Sequence, residues 1–398
     1  MDGRQNWTCI GTEYLRGTGD DGSYSTKKLG AIGADLGAVA CFFNRPWDQP
    51  SLKLSAPDRA WLLNQAAFYL RALGRPAEAL GPMRAGLAMA IEQEAWRNAA
   101  ISASNLSELE LNLGELSAAT ADAEQSVGFA DRSKDASQRM SKRTAHADAL
   151  HQAGRMDQAR RLFVEAEALQ AEQQPYTRLY SLRGFQYCDR LLSDPEGAAW
   201  RRILDPAARI PDLATLQRAC DRTTERATEA LRIAEQNELA LLTIALDRLT
   251  LGRAALYQAI LATSRGPNGT AAPTSSAIRI PSTAIDYLTA AVDGLRESGS
   301  LNHLPRGLLT RAWQRRLVGD TTGAATDLDQ AWDIAERGPM PLYQTDIRLT
   351  RARLFGRNGA DYPWGSPRED LAEARRLIEK HGYHRRDREL ADAEAALG

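Results

Sequence analysis

The sequence contains few cysteines, and their spacing would not pair them. Cys9, Cys41, Cys188 and Cys220 lie far apart in a chain of 398 residues and form no C-x-x-C motif. This spacing predicts neither a disulfide framework nor a zinc site, and it favours a reducing compartment. We therefore predict a cytoplasmic protein.

Long apolar runs and an excess of one charge are also missing. No stretch approaches the ~20 apolar residues that span a bilayer, and the N-terminus MDGRQNWTCIGTEYL lacks the pattern of a secretory signal. The 50 Lys and Arg nearly balance the 51 Asp and Glu. A chain with almost no net charge is not expected to bind nucleic acid or an anionic membrane. We predict a protein, peptide or small-molecule partner instead.

Catalytic patterns are scarce. The stretch GTGDDG at 17–22 has dinucleotide-loop spacing, but Asp20 and Asp21 would repel a pyrophosphate. Ser23 and Tyr24 stand where a phosphate-binding loop needs Lys and then Ser or Thr. The five histidines are not spaced as convergent metal ligands. We predict a protein without enzymatic activity, cofactor or metal.

Helical periodicity and a repeat of small residues are present. Apolar residues recur at spacings of three and four, which is typical of amphipathic helices. At an interval of forty residues, three columns of small residues align: Ala67, Ser107 and Ala147; Gly74, Gly114 and Gly154; Ala79, Ala119, Ala159 and Ala199. Small side chains allow close helix packing, and a glycine supplies the positive φ of a tight turn. Each repeat is therefore predicted to be a helical hairpin that stacks on its neighbours.

These columns, with a large apolar residue four positions beyond the alanine (Met83, Phe163 and Ile203), resemble the tetratricopeptide repeat. Its usual period is about 34 residues, so the six additional residues lengthen each helix by ~4.5 Å. The chain is similar to the long-helix variants in the repeat regions of bacterial signalling ATPases and of kinesin light chains. The resemblance implies an all-α, right-handed α-solenoid.

The predicted organisation is a polar flexible tail over 1–27 followed by a repeat array over 28–398. The array is expected to contain about seven hairpins, a flexible insertion at 263–280 and a polar capping helix at 384–397. In its less regular middle part, a helix over 176–192 is expected to precede an inserted segment at 196–204.

The segment 28–43, which includes LGAIGADLGAVACFF, is predicted to be a helix that is apolar on more than one face. We expect something to cover it: the tail, a second subunit, or an upstream domain. It is therefore a possible site of association.

The resemblance also places a binding surface on the concave face, at fixed positions of the first helix of each repeat. The matching residues are Trp61, Asn64, Phe68 and Arg71; Ile101, Ser104, Glu108 and Asn112; Thr144, Asp148, His151 and Gln152. A mixture of polar and aromatic groups suits peptide recognition.

We predict a non-enzymatic scaffold, adaptor or sensor that binds a protein or peptide on this face, in bacterial signalling or regulation. The alternative is a sensor of a small ligand or a peptide pheromone, which predicts a closed, strongly curved array with a polar pocket.

Overall fold

The computed structural model describes residues 23–173, 175–263, 278–357 and 361–397, and nearly all of these residues lie in α-helices. The described chain begins with two short helices and a small antiparallel hairpin: α1 (Tyr24–Leu29), α2 (Ile32–Ala40), β1 (Phe43–Arg45) and β2 (Gln49–Pro50). Seven pairs of long helices follow within the described residues. They are α3 (Ala56–Ala72) with α4 (Pro76–Glu92), α5 (Trp96–Leu113) with α6 (Leu116–Ser133), α7 (Ala136–Gln152) with α8 (Met156–Gln173), α9 (Ser181–Leu204) with α10 (Leu213–Gln236), α11 (Leu241–Ala262) with α12 (Ser282–Glu297), α13 (Leu304–Leu317) with α14 (Thr321–Arg337), and α15 (Pro341–Phe355) with α16 (Pro367–His381). A 3-10 turn (His384–Arg386) and α17 (Asp387–Leu397) end the described chain.

In the first three hairpins the columns of small residues lie where the repeat interpretation predicts, whereas Ala199 lies inside α9 instead of in a second helix. Gly74, Gly114 and Gly154 have φ values of 72°, 75° and 77°, in the left-handed region that closes a tight turn. The alanines and the serine of the other two columns are buried between helices. Neighbouring helices pair along the whole array, and the α-solenoid of helical hairpins is therefore confirmed.

Side-chain caps fix several helix starts. The Oγ of Ser55 accepts a hydrogen bond from the backbone N–H of Asp58 at 3.3 Å, and Ser366 does the same for Glu369 at 3.2 Å. Each cap satisfies a donor that the first helical turn leaves unpaired, which contributes about 0.5–2 kcal/mol. The sequence SPRE at 366–369 is therefore a genuine start signal for α16.

The segment 28–43 is not a single helix. Gly30, with φ of 59°, separates α1 from α2, and its Cα packs against the backbone of Glu297. The apolar side chains of α2, such as Ile32 and Val39, are buried in one core cluster with α3. Helix α3 thus covers the apolar surface of α2, which the tail, a second subunit or an upstream domain was expected to cover.

Two other expectations need correction. Residues 196–204 are not an insertion, because α9 continues through Pro195 to Leu204. The predicted tail boundary at residue 27 falls inside α1, and residues 1–22 lie outside the described residues. The expected flexible insertion at 263–280 also lies mostly outside them, since the description stops at 263 and resumes at 278.

The array curves until its two halves touch. The backbone N–H of Leu301 donates to the carbonyl of Ala72 at 2.8 Å, and the Nδ1 atom of His381 lies 2.9 Å from the carbonyl oxygen of Gly114. The turns of the first hairpins therefore pack against the last hairpins and enclose the concave face. Among the described helices, none combines the length and apolar content needed to cross a bilayer.

Candidate binding site

A groove on the concave face lies between α1, α3, α4 and α5 and has a volume of about 400 Å³; we call it the N-terminal groove. Trp61 and Phe68 of α3 and Ile101 of α5 supply its apolar surface. Amide side chains lie between them, from Asn64, Asn98 and Asn105. The Nδ2 group of Asn105 donates to Oδ1 of Asn64 at 3.3 Å. Amides both donate and accept hydrogen bonds, so this surface matches the alternating groups of a peptide main chain.

An ion pair borders this groove. Arg71 is only 5% exposed, donates to the Glu108 carboxylate, and lies over the ring of Phe68 at 5.7 Å from the ring centroid. Glu108 shares one face of α5 with Asn105 and Asn112, because residues three, four and seven apart align on a helix. Asn105 lines the groove, whereas Asn112 lines a second cavity. The two sites are therefore neighbours, roughly 10 Å apart along α5 at 1.5 Å per residue.

The second cavity, which we call the central cavity, has a volume of about 110 Å³ and lies inside the closed array. Nine ionised side chains line it: Arg253, Arg306, Arg353, Arg385, Arg386, Asp189, Glu196, Asp346 and Glu389. Aromatic side chains complete its wall, including Trp200 and Trp313, whose stacked rings have centroids 3.6 Å apart.

Most of these charges are paired within the cavity wall. Asp189 accepts hydrogen bonds from Arg253 at 2.7 Å and from Arg385 at 2.6 Å. Arg386 donates to Asp346 at 2.8 Å and to Glu196 at 3.3 Å. Buried charges persist only when partners compensate for their lost hydration. These pairs therefore fix α9 and α11, from the middle of the chain, against its C-terminal part in one arrangement.

The pKa values in this region follow from burial and charge. Burial alone would raise the pKa of Asp189, but the positive charges of Arg385, Arg253 and Arg306 outweigh it and hold that pKa well below its usual range. Burial raises the pKa of Asp148, which bonds to Gln152 at 2.9 Å instead of to an arginine. Burial also lowers the pKa of His151 well below its ordinary value, so its imidazole is neutral at pH 7.

Three potential metal ligands lie together beside the central cavity. Donor atoms of Asp148, His151 and Asp189 are within 4.8 Å of one another. Asp189, however, already accepts hydrogen bonds from two arginines. A cation at this point would face fixed positive charges, so the electrostatics disfavour a metal.

The predicted concave residues divide into four groups. Trp61, Asn64 and Phe68 line the N-terminal groove together with Ile101. Arg71 and Glu108 form the bordering ion pair, and Asn112 and Gln152 line the central cavity. The others do not form an open wall: Ser104 is 3% exposed, Thr144 1%, Asp148 7% and His151 0%. Asn105, one position further along α5, lines the groove in place of Ser104.

The sequence reasoning missed the arginines of the central cavity. Arg385 and Arg386 were expected on a polar end cap, yet both are 8% exposed. A usable signal was present at Arg253, a single arginine inside the otherwise apolar run LTLGRAALY. A lone charge on an apolar helix predicts a buried ion pair. Its carboxylate partners, Asp189 and Glu196, could not be identified from the sequence, because they lie more than fifty positions away.

Comparison with known proteins supports the fold. No family model matches the chain, and no curated protein is similar to it in sequence. Among solved structures, the crystal structure of a Rap protein complexed with Competence and Sporulation Factor is similar, with a TM-score of 0.50 and 12% sequence identity. The similarity covers 94% of this chain and 94% of that one. At such low identity the likeness shows the fold alone, and by fold the chain is a tetratricopeptide-like helical-repeat protein.

Proposed function

We propose that the chain is a non-enzymatic sensor that binds a short peptide in the N-terminal groove and acts through a separate protein partner. The observation that carries the proposal is the groove itself, where three asparagines alternate with Trp61, Phe68 and Ile101. Such a surface can pair with a peptide main chain and accommodate its side chains at the same time. The proposed setting is bacterial signalling in the cytoplasm.

The size of the groove favours a peptide over a folded protein at this site. Its volume of about 400 Å³ is within the range of roughly 300–1,000 Å³ that is common for small-ligand sites. A folded partner would need a total buried area of about 1,200 Å² or more. The closed array and its polar central cavity also agree with a ligand sensor. A Rap protein of similar fold, complexed with Competence and Sporulation Factor, is a precedent for ligand binding by such an array.

Two buried groups in the wall of the central cavity are poorly suited to proton transfer, which supports a non-enzymatic role for this cavity. Within the central cavity, the pKa of Asp189 lies well below its usual range, and burial raises the pKa of Tyr257. General acids and bases work best when their pKa is near the working pH. Groups held this far from neutral pH stabilise the structure but transfer protons poorly.

The test is affinity selection from a random hexapeptide library, comparing the unmodified protein with the double variant Trp61→Ala, Phe68→Ala. We expect the variant to retain at least about tenfold less peptide, because each ring contributes on the order of 1 kcal/mol or more to binding. The control is Val164→Ala, which alters a side chain of α8 that is 54% exposed and does not line the groove. Equal retention by the double variant and the control would contradict peptide binding in this groove.

A further inference from the structure

The wall of the central cavity carries one positive charge more than its carboxylates can balance. Five arginines and four carboxylates line the cavity. The carboxylates of Asp189, Glu196, Asp346 and Glu389 are bonded to Arg253, Arg353, Arg385 and Arg386. Because arginine stays protonated in proteins, the remaining positive charge belongs to the fifth arginine, Arg306.

Arg306 is incompletely paired. Its Nε–H donates to Oη of Tyr343 at 3.0 Å, and its guanidinium lies 5.5 Å from the centroid of the Phe185 ring. The carboxylate oxygen in ion-pair range is Oδ2 of Asp189, 3.8 Å from Nη1, and Arg385 approaches that oxygen to 2.6 Å. The Nη groups of Arg306 thus make no hydrogen bond to any side chain in the described part of the chain. They remain available to a ligand.

Neither Asp148 nor His303 forms a hydrogen bond with Arg306 among the described residues. Asp148 is outside the cavity wall and bonds to Gln152; burial raises its pKa, and the positive charge of Arg306 opposes that shift. His303 carries no negative charge in either protonation state, and burial followed by the positive charges of Arg306 and Arg71 lowers its pKa to about 3.

The surroundings of Arg306 are apolar as well as charged. Leu309, Trp313 and Leu342 line the same cavity, and its volume of about 110 Å³ suits a small group. A single excess charge matches a monoanion, whereas a phosphate dianion would leave the wall one charge too negative. Planar guanidinium groups pair with carboxylates through two parallel hydrogen bonds.

We propose that Arg306 binds a carboxylate carried by an apolar residue, and that the central cavity is an anion subsite for one end of the ligand. This inference extends the proposed peptide sensor. The distance of roughly 10 Å from Asn105 to Asn112 corresponds to about three extended residues at 3.3 Å each. A short peptide that lies in the groove and continues along α5 for this distance reaches the cavity that Asn112 and Arg306 both line, where its C-terminal carboxylate, or an acidic side chain, would meet Arg306.

The test uses matched small probes and the full-length chain. N-acetylleucine carries the carboxylate and apolar side chain of a peptide C-terminus, and N-acetylleucinamide lacks only the charge. At millimolar concentration we expect N-acetylleucine to raise the Tm of the unmodified protein by a few degrees, and the amide to leave it unchanged. N-acetylglutamic acid α-amide tests a side-chain carboxylate. Sulfate, which is a dianion at neutral pH, tests the preference for a monoanion and should give a smaller shift than N-acetylleucine.

Arg306→Gln should abolish the shift with N-acetylleucine, and Arg306→Lys should retain part of it because the charge remains. The control is Arg337→Gln on the exposed end of α14, which should respond like the unmodified protein. Among the described residues no carboxylate is hydrogen-bonded to Arg306, so Arg306→Gln should fold with a Tm close to that of the unmodified protein. A large fall in its Tm would instead identify Arg306 as part of the structural ion-pair network.

Two results would overturn the inference: equal shifts with the acid and the amide, or a shift that persists in Arg306→Gln. If peptide binding in the groove is wrong but the anion subsite is real, the two experiments separate. N-acetylleucine then stabilises the protein through Arg306, but the groove retains no hexapeptide. The anion subsite would then serve a small carboxylate instead of a peptide.

Discussion

At the scale of single residues, burial sets the pKa of an ionisable side chain, which residue type alone does not. Asp247 lies on α11 with 2% exposure, and its Oδ2 has no hydrogen-bond partner among the described residues. Burial raises the pKa of this carboxyl to about 8. Because the folded-state pKa is above the unfolded one, its contribution to stability is complete below about pH 4. That contribution is lost as the pH rises through about 8.

We therefore predict that Asp247→Asn stabilises the protein at alkaline pH. Its Tm should exceed that of the unmodified protein by several degrees at about pH 9, where the buried carboxylate is ionised, and should differ little at about pH 4. Thermal unfolding across this range measures the effect. Asp286→Asn, at an exposed position of α12, is the matched control. The same gain at both pH values would exclude ionisation as its cause.

At the scale of elements, the turns between helices are specified by local sequence. Gly154 ends α7 with φ of 77°, which is costly for any residue with a Cβ. A Cβ at this position would also lie 2.8 Å from Cβ of His384. This turn is therefore both a helix terminator and a contact with the last part of the chain.

Gly154→Ala should lower the free energy of unfolding by about 2–3 kcal/mol, from the left-handed backbone and the contact with His384. Gly128→Ala is the control, because Gly128 lies inside α6 with nothing within 4 Å of its would-be Cβ. That change should stabilise by about 0.5–1 kcal/mol. Denaturant titration measures both free energies. Equal effects of the two substitutions would refute the specific role of the turn.

At the scale of the whole molecule, buried ion pairs close the array. Asp189 on α9 accepts hydrogen bonds from Arg385, which is 196 positions away, and from Arg253, which is 64 positions away. The contact with Arg385 ties the 3-10 turn before α17 to the middle of the chain. Removing one partner of a buried pair leaves an uncompensated charge, which costs more than the pair itself contributes.

Asp189→Asn should lower the free energy of unfolding by about 3–5 kcal/mol. It should also increase hydrogen exchange in residues 384–397 before exchange increases in α3 and α4, because the C-terminal contact loses its charge partner. Glu78→Gln removes one partner of the exposed Arg75–Glu78 pair and should cost at most about 1 kcal/mol. If Asp189→Asn increased hydrogen exchange equally throughout the chain, Asp189 would not act by holding the C-terminal part against the middle of the array.

Local signals in the sequence were sufficient to predict the hairpins. The glycine and alanine columns identified the turns and the close helix contacts, because backbone conformation and helix approach depend on residues within one repeat. The resemblance to the tetratricopeptide repeat placed Trp61, Asn64 and Phe68 on one face of α3, and these three residues line the groove. The expected break after residue 192 and the inserted segment at 196–204 were wrong, since α9 continues through Pro195 to Leu204.

The amino-acid sequence by itself determined the repeat, its helices and part of one concave surface. Only the tertiary structure decided which charges are buried together. The curvature of the array brings Arg385 and Arg386 against Asp189 and Glu196, and small packing rotations summed over several hairpins set that curvature. A sequence pattern records neighbours along the chain, whereas the central cavity depends on contacts between residues far apart in it.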